Sequence, residues 1–266
     1  MTKILITGAG SGLGQALTKQ FANANTHLIL LDISQSGLQD TEQSLDRSVA
    51  QIDSYVVDIG DTSSLKICLE QISTTIGHID WIINCAGITI TSRATDVDST
   101  QWHKVLAVNV LGVTTIIHHF LPKMLENQTG RIINIASMFG LLPAPSGIAY
   151  ATSKHALVGY TKTLMVELEN TGISVHLVCP GFIQTDLFEN ATYVGVDKDN
   201  MRPDTSSMMT PQDAAQRIQR GLIRNKRWIV FPMYVRLLWW IEWLCPPIAD
   251  YIWRKQWQSF QAKLHS

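Results

Sequence analysis

The sequence predicts an α/β fold in a single domain: a doubly wound parallel sheet of about seven strands, helices on both faces, and a helical extension at the C-terminus. Three observations predict it. Short apolar runs alternate with helical patterns down to about residue 231, as expected of strands buried on both faces and joined by helical crossovers. The first run, residues 3–7, ends in the closely spaced Gly8, Gly10, Gly12 and Gly14. The second, residues 27–31, ends at Asp32. That is about twenty residues past the glycines, the interval at which such folds keep an acidic residue for a nucleotide ribose.

The elements can be justified in order. Residues 3–7 read as a buried strand, and residues 15–24 continue with apolar side chains at helical spacing. Glycine between them permits a sharp turn and close approach of a ligand to the backbone. The helix that follows aims free N–H groups and its positive dipole end at a bound anion. Gly8, Ser11, Gly12, Leu13 and Gly14 are therefore candidate pyrophosphate contacts. A glycine cluster alone also suits a plain strand–helix turn, and Asp32 separates the two. Its carboxylate would accept hydrogen bonds from both adenosine ribose hydroxyls and repel a 2′-phosphate. Ser11, Ile33 and Ser34 supply no positive charge beside it, which favours NAD over NADP.

Further strands are read at 53–57, 79–83, 131–136, 173–178 and 227–231, with two long helices at 99–126 and 147–170. Residues 1–231 form one domain and 232–266 an extension. Residues 183–210 lack periodicity and are rich in Thr, Asp, Asn and Met. So long an irregular connection in a compact domain is usually functional, here a substrate lid. Thr210 followed by Pro211 reads as an N-cap with proline at the first helical position.

Tyr150 and Lys154 lie four apart on the second long helix and project from one face. An ammonium near a phenol favours the phenolate, giving a proton donor and acceptor usable near neutral pH. Alone, such a pair also fits a solvated helix surface. Ser137 gives it context: it ends the strand at 131–136, at the sheet edge where open α/β folds bind ligands. At this point the chain closely resembles the short-chain dehydrogenase/reductase family. The matching residues are Thr7, Gly8, Gly12 and Gly14; Asn84, Ala86 and Gly87; Asn109; Ser137; Tyr150 and Lys154; and Pro180 with Gly181. They come in the family's order and span residues 3 to about 231.

The resemblance implies a Rossmann-like domain and a role for each residue. Tyr150 would exchange a proton with the substrate oxygen while hydride moves to or from nicotinamide C4. Ser137 would orient that oxygen, and Lys154 would bind the nicotinamide ribose and lower the tyrosine pKa. Asn109 would interrupt the first long helix and hold a water of a proton relay. Asp58 would meet the adenine with Ile59 beside it, and Asn84, Ala86 and Gly87 would pack under the cofactor. Pro180, Gly181, Ile183 and Thr185 would line the nicotinamide, Thr185 near its carboxamide. Cys85 stands where the family usually has a second asparagine, a change that calls for local repacking without loss of activity.

The rest of the sequence bounds this reading. At 266 residues with net charge −1, the chain does not read as a nucleic-acid binder. Cys68, Cys85, Cys179 and Cys245 are scattered, so neither zinc nor a disulfide framework is expected and a reducing compartment fits. His118 and His119 have no partners at ligand spacing, so no metal site is expected. The chain enters a strand at once, leaving no room for a signal peptide, and the expected location is cytoplasmic.

The expected pocket lining is apolar: Ile88, Ile90, Met138, Phe139, Leu141, Leu142, Phe182, Leu187 and Phe188, with Tyr193, Met201, Met208 and Met209 from the lid. It suits a steroid-like, terpenoid or fatty alcohol or ketone. The two long helices are expected to form a homodimer or homotetramer interface that buries Val113, Ile116, Ile117 and Leu164.

Residues 217–266 carry +7 and six of the eight tryptophans. Pro246-Pro247 is expected to split the tail into two helices, each well short of the ~20 residues that span a bilayer. Three fates stay open for this segment: docking within the protein, peripheral contact with the inner, anionic face of a membrane, or an unstructured tail. The reading is an NAD-dependent oxidoreductase of apolar secondary alcohols. The rivals are an NADP-dependent ketone or 3-oxoacyl reductase and a catalytically silent cofactor-binding protein.

Overall fold

The computed structural model describes residues 1–45, 51–201 and 208–264. Its first half runs β1 (Thr2–Thr7), α1 (Gly12–Phe21), β2 (Thr26–Asp32), α2 (Gln35–Gln43), β3 (Gln51–Val56), α3 (Thr62–Thr75), β4 (Trp81–Asn84), β5 (Ile90–Ser92), α4 (Ser99–Leu106), a π-helical turn (Ala107–Gly112) and α5 (Val113–Asn127). Then come β6 (Gly130–Ile135), a 3₁₀ turn (Met138–Gly140), α6 (Ile148–Glu167), β7 (Ile173–Pro180), β8 (Thr192–Val194), α7 (Lys198–Met201), α8 (Pro211–Ile223), β9 (Trp228–Phe231), α9 (Met233–Leu244) and α10 (Pro246–Leu264).

Seven parallel strands form one sheet in the order β3-β2-β1-β4-β6-β7-β9. The strand order reverses direction between β1 and β4, and the crevice at their carboxyl ends is where doubly wound sheets bind ligands. All seven expected strands are present, with ends shifted by a residue or two. Ile4, Leu5, Ile6 and residues 28–31 are essentially inaccessible to water, which accounts for the unbroken apolar runs. One face carries α3, α5 and α6 over Leu5, Ile29, Ile82, Ile132 and Leu177. The other carries α1 and α8 over Ile4, Ile6, Leu28 and Ile133. The Thr210 hydroxyl caps α8 by accepting from Asp213 N at 3.1 Å.

The first long helix is α4 and α5 joined by a π turn around the fully buried Asn109, the interruption expected there. Three features differ from expectation. By length and composition Ser99–Asn127 could cross a membrane. Here Val113, Ile116, Ile117, Phe120 and Met124 pack on the sheet instead. Those side chains and Leu164 are therefore spent on the subunit's own core and cannot form a subunit interface. The exposed large apolar residues of these helices are Leu111, Leu125, Ile148 and Val166.

Within 183–210, β8 pairs in parallel with β5 as a second small sheet. Gln184 N donates to Met209 O at 2.9 Å, joining the two ends of this segment, while residues 202–207 lie outside the described residues. The tail does divide before Pro246, but α10 is 19 residues long, longer than expected.

A buried polar chain fastens α6 to the sheet. Asn84 Nδ2 donates to Asn134 Oδ1 across β4 and β6 (2.8 Å), Asn134 Nδ2 donates to Thr161 Oγ1 (3.0 Å), and Thr161 donates to Leu157 O. Replacing Thr161 with valine keeps the shape but orphans a buried amide N–H, which costs about 1–3 kcal/mol. Urea denaturation of Thr161→Val should show that loss, and an unchanged midpoint would refute the role given to the chain.

Candidate active site

The turn after β1 sets the cofactor end of the site. Gly8 adopts φ +69, and a side chain on Gly14 would overlap the Gly8 carbonyl oxygen. Only glycine lets α1 start this close to the strand. The N-cap residue Ser11 makes no side-chain capping bond, so the first N–H groups of α1 remain available to an anion. At the end of β2 the Asp32 carboxylate accepts from Gly10 N and Ser34 N, each at 2.8 Å. Two backbone donors hold it beside the glycine turn, with lone pairs left for ribose hydroxyls. These residues fit a dinucleotide: bare N–H donors for the pyrophosphate, and an oriented carboxylate where the adenosine ribose would lie.

One cavity of about 1000 Å³ joins that turn to the ends of β4, β6 and β7. Gly8, Ser11, Gly12, Leu13, Gly14, Asp32, Asp58 and Ile59 line one end. Ala86, Gly87, Ser137, Tyr150, Lys154, Pro180, Gly181, Ile183 and Thr185 line the other. Asn84 and Asn109 do not reach it. Asn84 sits beneath the wall in the chain that anchors α6. Asn109 accepts from Ile88 N and donates to Ile88 O and Ser153 Oγ, all at 2.9 Å. Because Ser153 in turn donates to Tyr150 O at 2.7 Å, the π turn is hydrogen-bonded to the start of α6. Both N–H donors of Asn109 are thus taken, leaving one lone pair of Oδ1 for a water. A side chain on Gly87 would stand 3.3 Å from both Asn109 Oδ1 and Lys154 Nζ, so these two atoms flank one spot.

Tyr150 shares a hydrogen bond with Ser137. Lys154 Nζ lies 5.6 Å from the Tyr150 ring centre and donates to Ile135 O at 3.0 Å, leaving it further N–H donors for a ligand. Burial governs both titrations. It lowers Lys154 to about 8 and raises Tyr150 to about 12, the Ser137 bond opposing the rise. The lysine alone therefore does not lower the tyrosine below its ordinary value, contrary to expectation. Cys85 and Cys179 flank the pair, and burial pushes both thiols up to about 12.

The apolar part of the cavity includes Ile88, Met138, Phe139, Phe182, Leu187, Phe188 and Met201. Phe182 packs edge-on against Phe139 and next to Phe188. Six residues expected there do not line it. Ile90 and Leu142 are spent on small clusters behind the wall, Leu141 and Met209 pack against core, and Tyr193 donates to Phe188 O. Met208 is half-buried outside the cavity.

Gln256, Ser259 and Phe260 of α10 were not anticipated, yet they complete the cavity. No local signal announces them, since only tertiary docking brings residue 256 to residue 188. Tyr234 of α9 also meets the site, accepting from Phe182 N at 3.4 Å. Trp239 stacks on Trp228 at 5.5 Å, and Trp253 joins Met138 and Leu142. One face of the tail is thus docked on the protein.

The burial of Lys154 has a measurable consequence. Between about pH 8 and 10 the unfolded chain holds a proton on Lys154 that the folded chain has released, so stability rises with pH across that window. Above it Tyr150 acts in the opposite sense, because the folded chain keeps the phenolic proton. Relative to Lys154→Met, the wild type should gain up to about 3 kcal/mol between about pH 7 and 10. Parallel stability curves from urea denaturation would contradict the burial.

Comparison with known proteins agrees with this geometry. The sequence family described as short chain dehydrogenase matches residues 2–193. Human estradiol 17-beta-dehydrogenase 11 is 30% identical over 248 residues, covering 91% of this chain and 79% of that protein. The 3-oxoacyl-(acyl-carrier-protein) reductase FabG of Thermotoga maritima is 35% identical over 185 residues, covering 70% and 75%. Among solved structures, a short-chain dehydrogenase/reductase of Burkholderia phymatum in complex with NAD superposes with a TM-score of 0.76 at 25% identity, covering 86% and 88%. A short-chain dehydrogenase of Sphingobium yanoikuyae in complex with NADPH gives 0.79 at 21% identity, covering 96% of each chain, and speaks for the fold alone.

Proposed function

Since the chain belongs to the short-chain dehydrogenase family, and so is an oxidoreductase of CH–OH groups that takes a nicotinamide cofactor, we propose that it interconverts an apolar secondary alcohol and its ketone with NAD. The observation that carries the reading is a single cavity with Asp32 at one end and Tyr150, bonded to Ser137, at the other. Around Asp32 it is lined by Ile33, Ser34, Ser36, Gly37 and Asp40. No cation stands among the described residues there, which supports NAD over NADP. The Phe139–Phe182–Phe188 wall supports a steroid-like, terpenoid or fatty substrate, and the names of the estradiol dehydrogenase and 3-oxoacyl reductase relatives agree with it.

The bound nicotinamide supplies the hydride acceptor for oxidation and the donor for reduction. Ser137 hydrogen-bonds the substrate oxygen and orients it. Tyr150 takes the hydroxyl proton as hydride leaves the carbinol carbon, and returns it in the reverse direction. Lys154 would hold the nicotinamide ribose with the N–H donors that Ile135 O does not use. Asn109 positions Ile88 and the start of α6, and the free lone pair of its Oδ1 holds a water that leads the proton away past Lys154. Asp58 and Ile59 would pack near the adenine, and Thr185 would meet the carboxamide. We read the protein as a cytoplasmic homodimer or homotetramer in peripheral contact with anionic membrane. Leu111, Leu125, Ile148 and Val166 are the apolar residues the long helices have free for a subunit interface.

Two substitutions test this. Tyr150→Phe removes the transferable proton and leaves the cofactor site intact, so kcat should fall by about 10²–10⁴-fold with NAD binding by calorimetry nearly unchanged. Retention of more than about a tenth of wild-type kcat would overturn the assignment. Asp32→Ala should weaken NAD binding and narrow the preference over NADP. A wild type that turns over faster with NADPH than with NADH would reverse the reading of Asp32.

A further inference from the structure

The two C-terminal helices keep their most apolar side chains outside. On α9, Val235 is buried and Leu238 and Trp239 face the protein. Met233, Leu237 and Trp240 are exposed, and Trp243 and Leu244 are 79% and 76% exposed. Residues 233, 237, 240 and 244 fall on one helical stripe, with exposed Arg236 beside it. Exposed Ile248 and Tyr251 extend the stripe onto α10. Glu242, the acid of α9, is turned inward and accepts from Trp253 Nε1 at 2.7 Å.

A contiguous exposed apolar surface marks an interaction site, and charge selects its occupant. Arg236, Arg254 and Lys255 are exposed around the stripe, with Asp250 as the exposed acid on α10. From residue 232 onward Arg236, Arg254, Lys255 and Lys263 stand against Glu242 and Asp250, a net charge of +2. Tryptophan and basic residues together suit the headgroup level of an anionic bilayer. Neither helix can span one: α9 has 12 residues, and Asp250, Arg254 and Lys255 interrupt α10. They can only lie in the plane of the interface. Pairing the stripe with a second copy of itself would bring two Arg236 guanidiniums together without an acidic partner on the stripe, which is costly once water is excluded.

The same helix leads to the active-site cavity. Gln256 and Ser259 are exposed and also line that cavity, so they stand at its mouth, with Phe260 buried behind them. Tyr251 and Ser259 are two helical turns apart, about 12 Å. We propose that the outward stripe of α9 and the head of α10 docks on an anionic lipid surface, bringing the cavity mouth at Gln256 and Ser259 to that surface so that an apolar substrate enters from the bilayer. The delivery half rests on the apolar-alcohol reading given above, whereas the docking half stands without it.

Co-sedimentation with vesicles of phosphatidylcholine and phosphatidylserine in equal parts tests the docking. The wild type should bind at low salt and release as salt is added. The double variant Trp240→Ser, Trp243→Ser should bind at least about tenfold more weakly, and Arg236→Glu about fivefold or more. None of these residues belongs to the catalytic or cofactor machinery, so turnover of a water-soluble secondary alcohol should be unchanged and reports that the variants are folded. With a long-chain secondary alcohol dissolved in the vesicles, turnover should fall in step with binding.

A wild type that does not sediment with these vesicles, or variants that bind like it, would overturn the docking. So would variants that lose only self-association in analytical ultracentrifugation, which would assign the stripe to a second copy. Equal turnover of the vesicle-dissolved alcohol by bound and unbound variants would overturn the delivery. Vesicle binding without turnover of any secondary alcohol would instead remove the activity reading and leave the surface standing.

Discussion

The hydrogen bond from the Lys154 ammonium to the Ile135 carbonyl oxygen, 3.0 Å long and between two buried residues, fixes where α6 crosses the end of β6. Much of the site follows from it. With Lys154 pinned at the strand end, Tyr150 one turn earlier arrives at Ser137, the second residue past the same strand. The 3₁₀ turn after Ser137 then rides directly on α6. A side chain at Gly140 would stand 2.7 Å from the Lys154 carbonyl oxygen, so glycine is required there. An unpaired buried ammonium is costly, and the bond to Ile135 is what makes this placement tolerable until a ligand shares the charge.

The supports on either side of Lys154 are polar and buried. Asn109 reaches α6 through Ser153, and Asn134 reaches it through Thr161. Such networks specify one arrangement when every member is satisfied and fail sharply when one is not. The helix that carries the tyrosine and the lysine is therefore held to the sheet and to the π turn by oriented bonds as well as by its apolar face.

How much of this was legible in the sequence depended on whether the information was local. Strand runs such as residues 27–31 are apolar without alternation because both faces of the sheet are covered, and that pattern is visible in one dimension. The Gly8–Gly14 turn and Asp32 were legible for the same reason, since turn chemistry and interval are local. The burial of Ile116 and Leu164 was misjudged as interface, because an amphipathic helix shows which face is apolar but not what covers it. Gln256 and Phe260 gave no signal at all. Their place in the cavity exists only because α9 and α10 fold back over Phe182 and the turn after Ser137, a long-range contact with no sequence period. The rise of Tyr150 likewise comes from three-dimensional burial, whereas spacing to Lys154 suggested only the opposing charge.

The small sheet of β5 and β8 bears on motion. It joins Thr192–Val194 to Ile90–Ser92, strands far apart in sequence. So short a pairing is marginal on its own, while the seven-stranded sheet beneath it is deeply buried. Local stability is therefore graded across the molecule: this small sheet, which adds Thr91 to the cavity wall, can unzip at a free energy well below that of global unfolding. The cavity can then exchange its contents while the platform that orients Ser137, Tyr150 and Lys154 stays assembled.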